Sequence, residues 1–272
     1  MVLLSACLPK ASTTPIQGEV VKSISFEGNA GFLGGVPDST LRAAMEQSQS
    51  PGTWWIRPSE RGVVLDRKTL SRDAWRLETW YANHGYFDAR IRGWDVITVR
   101  EADPDRNKPK VVKIVGYVAE KQSSTIRKIY WEGMGDLGNV FVALLKKKAA
   151  IQAGDVFAIG SVKETEGQTL NQLHEMSFGF ATVRTEVEAF PEEGVVDIRV
   201  IADTGPACRF GPISITGEYD IPEEFVRNEL SIKEGTAFRA SKLADTQRRL
   251  FALGVFSVVN VVPDLTRKSE EI

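Results

Sequence analysis

The chain has 272 residues, 42% hydrophobic and 26% charged, with 34 Lys and Arg against 36 Asp and Glu. That is an ordinary soluble composition, with apolar residues enough for two or three small cores, and it excludes a disordered or fibrous chain. The net charge of −2, and a basic run (Lys146, Lys147, Lys148) confined to one predicted helix end, argue against a nucleic-acid partner; no apolar stretch approaches the ~20 residues of a membrane-spanning helix.

Residues 1–19 read as a tail. Leu3, Leu4, Ser5 and Ala6 before Cys7 resemble the end of a bacterial lipoprotein signal, in which the cysteine is lipidated, and a polar tether follows to Pro15. A signal peptide needs a basic start and an apolar core of about 7–15 residues, whereas only six residues precede Cys7. The alternatives are a start placed too late or a plain disordered tail.

The elements then follow in order. A strand is predicted over 20–26 and a short helix over 37–47, opened by Pro37 and Asp38. A longer loop, 48–61, leads to a helix over 66–83. Leu70, Ala74, Leu77 and Tyr81 lie on one stripe of it, and His84 with Gly85 closes it. Strands over 87–100 and 110–120 flank a turn-rich loop, 103–109. The order repeats: a strand over 125–131, helices over 139–150 and 162–176, then strands over 181–190 and 195–202 joined by 191–194. Ser161 and Glu164 form the expected capping box of the second helix. A third round has a strand over 209–216, helices over 222–230 and 241–253, a strand over 256–263, and the polar residues 264–272.

Three glycines punctuate each round. The first strand ends at Gly28, Gly133 and Gly217. A second glycine precedes a hydrophobic residue by three: Gly62 and Leu65, Gly154 and Phe157, Gly235 and Phe238. A third, at Gly85, Gly179 and Gly254, precedes an aromatic and a new strand, 23, 25 and 19 residues after the second. Repeats this long are small domains rather than solenoid units. The chain divides into the tail and three modules, 20–122, 123–206 and 207–272. The third lacks its last strand. Two helices on a two-stranded sheet would expose apolar surface and unpaired edges, so the sequence reads as a piece cut at a hairpin turn.

A β-α-α-β-β module with these glycines resembles a POTRA domain, two helices on a three-stranded sheet, in the α+β class. The resemblance rests on Gly85-Tyr-Phe-Asp-Ala-Arg-Ile91, on Thr204 to Gly217, on Ile232 to Phe238 and on Arg248 to Phe256. By pattern the nearest group is the periplasmic part of BamA/TamA-type outer-membrane assembly factors, and three modules favour a TamA-like count. The resemblance implies the periplasmic side of the outer membrane, with a C-terminal β-barrel in cis that this chain does not contain. The implied partners are unfolded outer-membrane protein precursors and periplasmic or lipoprotein partners, with no nucleic acid, cofactor, metal or catalysis. POTRA modules also occur in two-partner secretion transporters and in cell-division proteins, and a lipid-anchored periplasmic scaffold is a further alternative.

The resemblance also places the strand after the second helix at a sheet edge, where backbone groups can receive an extended partner by β-augmentation. In the first module that strand holds Ala89, Arg90, Ile91, Arg92 and Trp94. Strict alternation puts Arg90, Arg92 and Trp94 on one face and Ala89 with Ile91 on the other. The bland reading is that the charges guard the edge against aggregation. Trp54 and Trp55 in the first loop are candidate partner anchors or packing residues.

A rival reading is catalytic. Gly133, Gly135 and Gly138 satisfy G-x-G-x-x-G, with Asp155 twenty residues after Gly135, as in a dinucleotide site. Against it, the preceding strand is not an apolar run, the repeat already explains Asp155, and no second parallel strand follows. The two histidines, His84 and His174, sit at helix ends far apart, and Cys208 reads as a packed thiol.

Overall fold

The computed structural model describes residues 18–29, 35–47, 63–106, 108–135, 137–217, 221–265 and 270. Cys7, Trp54, Trp55 and Gly62 lie outside them. The chain forms two compact units that meet between Ser123 and Ser124.

The first unit contains β1 (Glu19–Glu27), α1 (Asp38–Ala44), α2 (Arg67–Asn83), β2 (Arg90–Arg100) and β3 (Lys110–Ala119). Its sheet order is β1-β3-β2, so the last strand is central, parallel to β1 and antiparallel to β2. Val112, Ile114 and Val118 of β3 pack with Ile24 and Phe26 of β1, and with Leu41, Leu70, Leu77 and Tyr81 of the helices. The predicted stripe of α2 is thus its core face. Asp66 caps this helix, accepting from Lys68 N at 2.9 Å, and Gly85 ends it with φ +90°. Helix α1 stops at Ala44, before the predicted 47. The Asp73 carboxylate draws the backbone N–H groups of Glu46 and Gln47 out of the helix, each at 2.9 Å.

The second unit begins with β4 (Thr125–Glu132), α3 (Asn139–Lys148), α4 (Ile159–Glu175), β5 (Thr182–Phe190), a 3₁₀ turn (Pro191–Glu193) and β6 (Val195–Asp203). Its order, β4-β6-β5, repeats that of the first sheet. Helix α4 starts a turn earlier than the capping-box reading placed it. Phe157 N donates to Ser124 O at 2.9 Å, which holds the chain extended up to the helix, and Ser161 lies inside, its carbonyl accepting from Thr165 Oγ1 at 3.0 Å.

Two helices follow, α5 (Glu223–Asn228) and α6 (Ala240–Ala252). The predicted strands 209–216 and 256–263 form no ladder; only an isolated bridge joins Arg209 to Ala237. The reason is the strand order. In both complete sheets the first two strands pair only with the last one, and here no such strand lies between them among the described residues. Cys208, Phe210, Ile232 and Phe238 form a small core on which Phe180 packs. The end of α4 is tied to this segment: Cys208 N donates to Ser177 O at 2.7 Å, and Ser241 N and Oγ donate to Glu175 at 2.6 and 2.7 Å.

Candidate functional site: the open strand edges

Because β3 and β6 are central, β2 and β5 each have one edge free of strand partners within their sheets. Such an edge is a row of backbone donors and acceptors available to an added strand.

The β2 side chains do not follow simple alternation. The register shifts between Ile91 and Gly93, and a bulge of this kind moves every later residue to the other face. Trp94 therefore joins Ile91 and Val96 against the core, and not Arg90 and Arg92 as the alternation predicted. It lies opposite Gly116, whose missing side chain makes the space; a Cβ there would meet Trp94 at 2.6 Å and Phe26 at 2.9 Å. The Trp94 and Phe26 rings meet edge to face, 5.9 Å apart.

The other candidate residues are spread around this strand. Ala89 is 1% exposed. Arg90 folds back, donating to the carbonyls of Phe87 and Ala89 at 3.1 and 2.7 Å. The Ile91 amide donates to Glu78 Oε1 at 2.9 Å. Arg92 is exposed, and Ile97 and Val99 further along are each 48% exposed. The exposed side chains of β2 are therefore Arg90, Arg92, Asp95, Ile97, Thr98, Val99 and Arg100, mostly polar or charged with two aliphatic residues among them. On β5 the side chains alternate between exposed and half-buried, with Glu186 and Glu188 outward.

Three buried carboxylates, Asp73, Glu120 and Asp197, escaped the sequence reading. Asp73 is fully buried and also accepts from Arg76 at 3.0 Å. Its signal was present: it lies three residues after Leu70, on the core stripe of α2. Glu120 accepts from Val36 N at 3.2 Å and from Tyr81 Oη at 3.2 Å. Burial pushes its carboxyl above the usual range, against the pull of those two donors. No local pattern marks Glu120, whose partners are distant in sequence. In the second sheet Arg127 forms a two-point pair with Asp197, both contacts 2.9 Å, linking β4 to β6. The guanidinium holds the Asp197 carboxyl below its usual range.

The dinucleotide reading fails on topology. Gly133 ends β4 with φ +75°, and a Cβ there would come 1.8 Å from Ala202 O. Its glycine is required by the close approach to β6, in a three-stranded sheet with one antiparallel pair. The Asp155 carboxylate accepts from Gln152 N at 2.7 Å and closes a turn. His84 stacks on Trp80 at 3.9 Å and the His174 ring lies 6.5 Å from that of Phe238, both at helix ends. Among the described residues no cluster of His, Cys, Asp and Glu is placed to hold a metal, and no helix is long and apolar enough to cross a membrane.

Comparison with known proteins agrees with this architecture. The chain is 25% identical over 242 residues to the outer membrane protein assembly factor BamA of Neorickettsia risticii (strain Illinois), covering 89% of this chain and 30% of that one. It is 26% identical over 240 residues to BamA of Neisseria meningitidis serogroup B, covering 88% of this chain and 28% of that one. It thus spans about 30% of the length of these relatives. Among solved structures, POTRA domains 3–5 of Haemophilus influenzae BamA share the fold, with a TM-score of 0.57, 20% identity and 93% of each chain covered. The profile of the POTRA family, described as surface antigen variable number repeat, matches residues 19–121 and 208–271, more than half of the 272 residues, and the chain belongs to that family.

Proposed function

We propose that these residues are the periplasmic POTRA array of a BamA-type outer-membrane assembly factor, which receives unfolded outer-membrane proteins and docks partner proteins by adding strands to its sheets. The observation that carries this reading is the free outer edge of β2 and β5 in two sheets of identical strand order. Binding through backbone groups reads little sequence, which suits many different clients. The division into modules 20–122, 123–206 and 207–272 belongs to the same proposal, as do a β-barrel in cis, lipoprotein partners and a role for Arg92 at the β2 edge. Hydrogen exchange of the whole chain with a synthetic peptide from an outer-membrane barrel strand tests it. Slowed exchange in β2 or β5 is the expected result; saturable binding that leaves both edges unprotected would refute edge addition.

A further inference from the structure

One helix of the second unit is barely covered. Helix α3 has ten residues and buries only Leu145. Val140 is 81% exposed, Phe141 46% and Leu144 41%. Their spacing of 0, 1 and 4 puts them on one stripe, which Lys148 continues at 8. An apolar stripe of this kind normally faces the core of its own domain. Here it faces outward.

Two clefts open where α3 meets α4. The first, about 530 Å³, lies at the start of α3; Leu137, Phe141, Met176 and Phe178 supply its apolar lining, with Glu175 and Arg239 among its polar residues. The second, about 370 Å³, lies at the end of α3, beside Lys148, Gln168 and Gln172.

Positive charge marks both ends. Arg239 is exposed at the first cleft, and Lys146 and Lys147 are exposed on the last turn of α3, next to the second. None of these three side chains has a carboxylate partner among the described residues. Lys148 reaches the neutral Gln172, at 3.4 Å. The acid in the first cleft, Glu175, is already engaged by Ser241 N and Oγ. The helix dipole favours lysines at a helix C-terminus, but it gives no reason for an exposed apolar stripe leading up to them.

We infer that α3 and its two clefts form a docking face for an acidic amphipathic helix of another protein. The charge pattern selects the acid: cations without partners stand at both ends of an apolar surface. The backbone selects the helix. The backbone groups of α3 are bonded within the helix, so an extended strand laid across it would bury amides and carbonyls without partners, whereas a helix satisfies its own. The occupant covers Val140, Phe141 and Leu144 with apolar residues at the i, i+3, i+4 and i+7 spacing of helix-in-groove recognition. Its acidic residues lie against Lys146 and Lys147 at one end and Arg239 at the other. This mode forms no ladder and is independent of strand addition at β2 and β5.

The test uses the full chain and a labelled synthetic helix of about 18 residues, long enough to be helical alone, with leucine at the i, i+3, i+4 and i+7 positions and alanine and glutamate elsewhere. Saturable binding is expected, weakening as salt rises, with slowed amide exchange in 139–148. A peptide with lysine for each glutamate should bind at least about tenfold more weakly, because like charges then meet. Val140→Glu should weaken the acidic peptide by a similar factor, at a position too exposed for the fold to depend on it. Lys146→Glu with Lys147→Glu should do the same and also remove the preference for the acidic peptide, which loss of an apolar contact alone does not. Should that double variant fail to fold, Arg239→Glu at the other cleft replaces it. Failure of the acidic peptide to saturate would overturn the inference. So would binding that neither Val140→Glu nor the charge reversals weaken. Protection confined to β2 or β5 would overturn it while leaving edge addition standing. Two further results would overturn it by naming another occupant: α3-dependent binding to phosphatidylglycerol vesicles with none to the peptide, and a concentration-dependent dimer whose α3 amides are protected before peptide is added.

Discussion

Glycines at equivalent repeat positions are not equivalent in energy. At Gly133 an added methyl overlaps Ala202 O, so Gly133→Ala combines left-handed backbone strain with a clash against a fixed carbonyl. We expect a loss of about 3 kcal/mol or more. Gly217→Ala meets open space and should cost about 1–2 kcal/mol, the backbone penalty alone. Urea denaturation of the two variants side by side measures the difference, and equal losses would contradict the geometry. The buried Asp73 makes a second residue-scale case. Asp73→Ala removes the acceptor for two backbone N–H groups and for Arg76, with an expected loss of about 2–4 kcal/mol.

Elements are joined by charges whose pH dependence has opposite signs. The folded-state pKa of Glu120 lies above its ordinary 4.5, chiefly through burial. The folded state then holds the extra proton in the interval between the two values, so the contribution of Glu120 to stability falls as pH rises through it. Asp197 is the reverse: its hydrogen bonds from Arg127 hold the folded pKa below the ordinary 3.8. Its contribution is fully present above that value and is lost as pH falls through the folded pKa. Thermal melts of Glu120→Gln and Asp197→Asn across acid pH check both signs. Glu120→Gln should remove a decline in melting temperature on the way up from pH 4.5, and Asp197→Asn should flatten the drop on the acid side of 3.8.

On the scale of the whole molecule, two compact units predict two separable responses to damage. Gly133→Ala should speed exchange of the amides in β4, β5 and β6, while those in β1, β2 and β3 keep the wild-type rates. Native-state hydrogen exchange reads this directly; equal loosening of both sheets would mean that the chain unfolds as one cooperative body.

Much of the architecture is encoded locally. The ordered glycines and the stripe from Leu70 to Tyr81 were enough to place the helices and the six strands of the complete sheets, because helix and strand periods are set within a few residues. The same information located the β2 edge as a candidate site, yet misassigned Trp94. A one-residue bulge, invisible to alternation, reversed its face, and Gly116 on another strand made room for it. Asp73 and Glu120 also depend on partners brought close only by folding. The absence of a ladder in 209–216 and 256–263 has the same origin. Strand propensity belongs to a segment, but a ladder needs a neighbour, and in this fold the neighbour of both segments is a third strand placed between them by topology.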